Sequence, residues 1–370
     1  MKRGIFAFVV GAILVLTACG PGRTGTGTSS TSNSTVMAYV LNQGSQNISI
    51  FNLDTNSGNL TASGFTSPAT GATPYAIAVT PNKQFAYVVN YGDSTISSYR
   101  IASNGGLSAI GTAISTGSAP ISIAIDPTGN YVYTANTGSN NISGFSINNS
   151  TGALSTISSS PFSLANQTPL NIKSSPSNNI MYVSVTGGNA SDNNILSFSV
   201  QSTSGALVQV GSAASSGIQP SSLAIDSSGK AGISTNLTAG SLSTFLIQSN
   251  GQMVSSGSSN LNTAGNSPIW VALNSNANFA YVADQNNNSI SAYTFNTSTA
   301  AIAALGGSTP TGSSPSCVTI DPTNKYVYVT NNNASTVSAY AMDSTGALTA
   351  LSGSPFTVGT SPIAMTFVSF

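Results

Sequence analysis

The chain has no histidine and no glutamate: among 370 residues there are 8 basic and 8 acidic side chains, and every acid is an aspartate. Histidine and glutamate are the usual proton carriers near neutral pH. Acid–base chemistry is therefore left to Asp, Tyr, Lys, one cysteine or water. Charged residues make up only 4% of the chain. Beyond the N-terminus the cations are Arg23, Lys83, Arg100, Lys173, Lys230 and Lys325, too scattered to neutralise a phosphate backbone, so nucleic acid is not expected as a partner. Neither a histidine cluster nor a cysteine pair is present, so no metal or other cofactor is expected. The two cysteines, Cys19 and Cys317, lie in unlike contexts and do not form a disulfide framework.

Low charge here does not signal disorder. Ser, Thr, Asn and Gly supply polarity without charge, and 40% of the residues are hydrophobic, enough for a sizeable core.

The N-terminus reads as a targeting segment. Lys2 and Arg3 precede an apolar run from Ile5 to Leu16, which is short for a membrane span, and Leu16-Thr17-Ala18-Cys19 then resembles a bacterial lipoprotein signal. Residues 1–18 are expected to be removed, leaving Cys19 as the lipidated N-terminus. Residues 19–35 follow as a Gly/Ser/Thr tether with a span of roughly 20 Å. Gly20, rather than Asp, after the lipid site fits transfer to the outer membrane. The protein is thus expected to be extracytoplasmic and held to the membrane by its lipid, on the periplasmic side or the cell surface.

From residue 36 to 370 the sequence repeats. A proline opens a short apolar strand seven times, at Pro74, Pro120, Pro169, Pro220, Pro268, Pro315 and Pro362, with spacings of 46, 49, 51, 48, 47 and 47 residues. All but the last lead into a turn such as "DPTG", a second strand such as "YVYTAN", an Asn- or Gly-rich loop, a third strand and a weaker fourth. Four antiparallel strands per repeat is the period of a β-propeller blade. The chain begins on a second strand, "MAYVLN", and ends on a first strand, "PIAMTF". Together they complete one blade, which predicts an all-β, seven-bladed propeller whose C-terminal strand closes the ring, as a monomer. Blade five is the weakest unit, because "KAGISTN" lacks the aromatic residue of its counterparts.

At "KYVYVTN" and "NYVYTAN" the chain resembles the YVTN-repeat propellers. Over residues 37–370 it resembles the seven-bladed lactonase-type family that includes 6-phosphogluconolactonases and a muconate cycloisomerase. The resemblance implies lactone chemistry at one mouth of the central channel. It also implies His, Glu and Arg as the working groups, and here the first two are missing while Arg100 sits on a third strand. No catalytic residue carries over.

Asp126, Asp226 and Asp321 recur at turn starts, where an aspartate hydrogen-bonds its own backbone. Asn42, Asn90, Asn136, Asn236 and Asn331 end second strands and suit left-handed turns. The loops beyond them are expected to share one face with the blade crossings, which would gather Asp93, Asp192 and Asp284 into a polar surface for a glycan, peptide or small molecule. On the inner strands, Asn171, Lys173 and Trp270 depart from the small residues found in other repeats. Lys173 is a candidate anion ligand and Trp270 a candidate platform for a sugar ring. Cys317 reads as a small buried hydrophobe. The first expectation is a non-catalytic binding or surface-structural module. The alternative is a lactonase in which Lys173 orients the substrate and an Asp-held water attacks.

Overall fold

A computed structural model describes residues 35–256, 261–262 and 267–370. The expectations placed on the signal segment, on Cys19 and on residues 20–34 lie outside the described residues.

The described chain forms seven antiparallel sheets arranged as the blades of a propeller. The inner strands of blades 2 to 7 are Pro74–Val79, Pro120–Ile125, Thr168–Ser174, Pro220–Ile225, Pro268–Leu273 and Pro315–Ile320. Blade 1 is made from both ends of the chain. Its inner strand Pro362–Ser369 pairs with Val36–Asn42, in a register that sets Val36 opposite Ser369 and Tyr39 opposite Thr366. This pairing completes the first blade from the two ends of the chain and closes the ring.

Each blade is four strands wide, but its outer strand is broken. In blade 2, Leu107–Ala109 pairs with one half of the third strand and Ile114–Ser115 with the other half. The intervening residues step out of register where Ile110 N donates to Ser98 O at 2.8 Å. Such a short, interrupted edge offers little backbone for pairing with another chain.

The inner strands explain how blades stack. Side chains alternate across a strand, so one face carries Ile123 and Ile125 while the other carries Ser122 and Ala124. The large face of blade 3 packs on Ala76 and Tyr87 of blade 2, and Val318 and Ile320 of blade 7 pack on Ala272 and Tyr281 of blade 6. Large against small lets twisted sheets approach around an axis without voids.

A second device recurs at six of the seven interfaces. A buried second-strand tyrosine reaches into the next blade and donates its hydroxyl to a glycine carbonyl. The pairs are Tyr39–Gly105, Tyr87–Gly152, Tyr133–Gly205, Tyr182–Gly251, Tyr281–Gly346 and Tyr328–Gly58, at 2.6 to 3.1 Å. Each glycine has a left-handed φ, from 71° to 86°. A Cβ on it would also collide with a large side chain of the preceding blade, Met37 for Gly105 and Tyr131 for Gly205. Blade 5 breaks the pattern. There Ile233 replaces the tyrosine, Ala231 replaces the large neighbour, and Ala300 stands in the glycine position with φ 56°. The anomaly of "KAGISTN" is thus matched by a compensating change in blade 6.

Candidate functional site

Loops after the second strands and the blade-crossing loops do share one face. They are stitched together by backbone bonds such as Tyr91 N to Thr73 O at 2.9 Å, Thr137 N to Ala119 O at 3.0 Å and Asn332 N to Ser314 O at 2.8 Å. Much of the polarity that the sequence places there is therefore consumed internally. Asp93 accepts from Ala72 N at 2.6 Å and pins a crossing loop. Asp192 accepts from Asn189 N at 2.9 Å and holds a single 3-10 turn, Ala190–Asp192.

Asp284 is buried at the end of blade 6's second strand, where five of the other six blades have asparagine. The asparagines end the second strands of five blades and the left-handed turns follow them, as the sequence suggested. They are fully buried strand ends, and the positive φ comes four residues later, at Gln46, Ser94, Asn140, Gly240 and Ser335. Asn90 Nδ2 donates to Thr95 and Ser97, and Asn331 Nδ2 to Thr336 and Ser338. Asp284 has no such donor. It accepts from Ser291 Oγ, its Oδ1 lacks a partner among the described residues, and burial raises its pKa to about 6.

The turn aspartates also serve the backbone. Asp126 Oδ1 accepts from Asn130 N at 2.8 Å and Tyr131 N at 2.7 Å, while Oδ2 takes the Thr128 hydroxyl. Asp226 and Asp321 repeat this arrangement. None of these eight-fold scarce carboxylates lines the channel.

The channel itself is divided in two. The inner strands run from the loop face toward the turn face, so residues just after each proline ring the loop-side mouth. Tyr75, Ile121, Leu170, Ile269 and Ile363 enclose a cavity of about 160 Å³ there, with Asn171, Ser221 and Ser316 at its wall. Its polar groups are mostly committed, Ser316 Oγ donating to Pro362 O at 2.9 Å and Ser221 Oγ to Ile269 O at 3.1 Å. Asn171 Nδ2 donates to Ser122 Oγ at 3.3 Å. The Tyr75 hydroxyl has its pKa raised by burial and by nearby Tyr91. This mouth carries no ionic group, and its large apolar side chains share the lining with Asn171, Gln219, Ser221 and Ser316.

Beneath it lies a chamber of about 370 Å³, lined by Leu223, Ile225, Val271, Leu273, Val318 and Met365 with Lys173, Trp270 and Cys317. Trp270 borders both spaces and forms the partition. Lys173 Nζ lies 5.4 Å from the centre of the Trp270 ring, a cation–π contact that spans from blade 4 to blade 6. Desolvation by the apolar walls lowers the Lys173 pKa, while Cys317 opposes that shift. Cys317 is 2% exposed and burial raises its thiol pKa to about 11.

Of the six predicted ligand residues, the structure gathers Lys173 and Trp270 in one chamber, sets Asn171 above the partition and leaves Asp93, Asp192 and Asp284 in structural roles elsewhere. Arg100 is far from the axis, bonded to Ser150 O at 2.9 Å and stacked 5.0 Å over Phe85. Sequence reasoning missed the loop-side mouth. Its signal was the residue directly after five of the seven repeat prolines, where Tyr75, Ile121, Leu170, Ile269 and Ile363 stand.

A sheet ring of this topology with a partitioned axial channel defines a seven-bladed β-propeller. The profile of the family described as Lactonase, 7-bladed beta-propeller matches residues 31–168, 157–261 and 256–361, so the chain belongs to that family. Solved structures agree on the fold. A candidate 6-phosphogluconolactonase from Bacteroides uniformis aligns over 91% of this chain and 100% of its own, at 19% identity and a TM-score of 0.79. A second such protein, from Bacteroides fragilis, aligns over 92% and 99% at 18% identity and a TM-score of 0.77. The periplasmic gluconolactonase of Pseudomonas aeruginosa aligns over 90% and 99% at 17% identity and a TM-score of 0.75. No curated protein sequence matches the chain.

Proposed function

We propose that this propeller hydrolyses an unphosphorylated lactone in the chamber below Trp270. The observation that carries the reading is Lys173, the one charged side chain lining a channel chamber of about 370 Å³, in a member of the lactonase family. A phosphorylated substrate would call for several cations around its phosphate, and this chamber offers one. The Asp-held water of the earlier expectation has no counterpart, because no carboxylate lines the chamber.

The chemistry then rests on the amine. Burial lowers the pKa of the Lys173 amine, so more of it is free base than in an exposed lysine, and that form can take the proton of a water molecule as its oxygen attacks the lactone carbonyl. The resulting ammonium faces the oxyanion in a poorly screened space. It returns its proton to the ring oxygen as the carbonyl carbon–oxygen bond breaks, leaving a hydroxy acid. Trp270 supplies a flat wall for the lactone ring and a π-face that accommodates the cation.

The test is hydrolysis of glucono-, galactono- and butyrolactones by the purified protein against spontaneous background. Turnover that falls by roughly 100-fold or more in both Lys173→Met and Lys173→Arg fits the amine as base. A wild-type rate equal to background for every lactone would overturn the proposal, and the membership would then describe ancestry alone. The lipid anchor, the outer-membrane location and the monomeric state remain part of the same reading and rest on the sequence of residues 1–35 and on ring closure.

A further inference from the structure

The Lys173 amine has surroundings that suit a second kind of chemistry. Its chamber is bounded by Leu223, Ile225, Leu273 and Met365 together with Ser122, Ser174, Thr319 and Thr366, and contains no carboxylate to pair with it. The other groups facing it are the Trp270 ring, 5.4 Å from Nζ, and the Cys317 thiol. Among the described lysines, Lys83, Lys230 and Lys325 stand on the exposed surface instead. A half-buried lysine with reduced access to water and no carboxylate beside it is more nucleophilic toward carbonyls than one on the open surface. A structural lysine would ordinarily extend its ammonium to solvent or to an acid, and this one reaches an aromatic face.

We propose that Lys173 is a carbonyl-capturing site that forms a reversible imine with small aldehydes or 2-oxo acids entering the chamber. The nitrogen lone pair attacks the carbonyl carbon, giving a carbinolamine after proton transfer to oxygen. Loss of that oxygen as water then leaves a C=N bond, and no oxidant or reductant is consumed. The protonated imine keeps the single positive charge of the original ammonium, so the Trp270 face that holds the cation before reaction also holds it afterwards. Lowering of the amine's pKa by burial adds free base to attack, and Cys317 competes poorly because burial keeps it as the thiol. This capture goes beyond lactone hydrolysis and does not depend on it, since it needs neither a bound water nor a leaving group.

The purified protein would be incubated at pH 7 with glycolaldehyde or pyruvate and sodium cyanoborohydride, which freezes an imine as a secondary amine, and each lysine's modification quantified by peptide mass mapping. Several-fold more label on Lys173 than on Lys83, Lys230 or Lys325, with quenching of the lone Trp270 before reductant is added, is the expected result. Lys173→Arg keeps the cation and should lose both signals. Equal labelling of all four lysines, or labelling confined to the surface three, overturns the proposal on the wild-type protein alone, whether or not any variant folds. Lactone hydrolysis measured on the same preparation separates the two readings: turnover without preferential labelling removes the capture site, and labelling without turnover removes the hydrolase.

Discussion

Tyr328 of the last blade donates its hydroxyl to the carbonyl of Gly58 in the first, at 2.7 Å, joining residues 270 positions apart in sequence. The same bond is repeated within the chain by five other pairs, one of which, Tyr39–Gly105, starts from the strand whose pairing closes the ring. Replacing Tyr328 with Phe removes the hydroxyl and leaves a buried carbonyl with one partner fewer. A loss of about 1–2 kcal/mol follows, seen as a lower urea midpoint. Tyr133→Phe, at an interior interface, should cost a similar amount. An unchanged midpoint in both would mean that these hydroxyls do not hold the blades.

Ala231 and Ala300 test the exception. Ala300 carries a Cβ at φ 56°, a conformation costing an alanine about 1–2 kcal/mol relative to the right-handed form. It has room only because position 231 is small, whereas the corresponding glycines face Met37, Phe85 or Tyr131. Ala231→Phe alone is expected to destabilise by roughly 1–3 kcal/mol through overpacking. Combined with Ala300→Gly, much of that loss should return. The coupling in a double-mutant cycle, at least about 0.5 kcal/mol, is the readout; additive effects would reject the compensation.

These two cases show what was legible. Blade number, strand order and ring closure could be read because proline, tyrosine and glycine recur at fixed spacing, and each has a local reason to be there. The division of the channel could not. Lys173 and Trp270 belong to blades 4 and 6, and their meeting depends on the curvature of the closed ring rather than on any local pattern. Asp93 and Asp192 looked like ligands because a sequence does not show which backbone amides their loops leave unpaired. The loop geometry assigns them those amides.

Asp284 gives a pH prediction. Its pKa is raised by burial to about 6 in the folded protein, against about 3.9 in an unfolded chain. Between those values the native state binds more protons than the unfolded state, so stability falls as pH rises from 4 to 6 and stays lower above that. Asp284→Asn restores the residue found in five of the other six blades. Its amide can donate to Ser291 and to Ser289, whose hydroxyl lacks a partner among the described residues. The variant is expected to gain about 2–3 kcal/mol at pH 7.5 and almost nothing below pH 4. Melting temperatures of both proteins across pH 3.5 to 8 decide the matter, and parallel curves would refute it.

Lys173 sets function against stability. A half-buried ammonium with a π-face beside it and no carboxylate in the chamber costs free energy that a methionine in the same space would not. Lys173→Met is therefore expected to be more stable than the wild type at pH 7, by roughly 0.5–2 kcal/mol, while losing lactone turnover and imine trapping. The sign with pH follows from the lowered pKa. The unfolded chain holds its proton to about pH 10.4 and the folded one releases it earlier, so wild-type stability rises with pH across that interval and the slope disappears in the variant. Urea midpoints at pH 7 and pH 9 for the two proteins check this. If Lys173→Met were less stable at both values, the side chain would be part of the packing that holds the channel together, and its loss of activity would say nothing about chemistry at the amine.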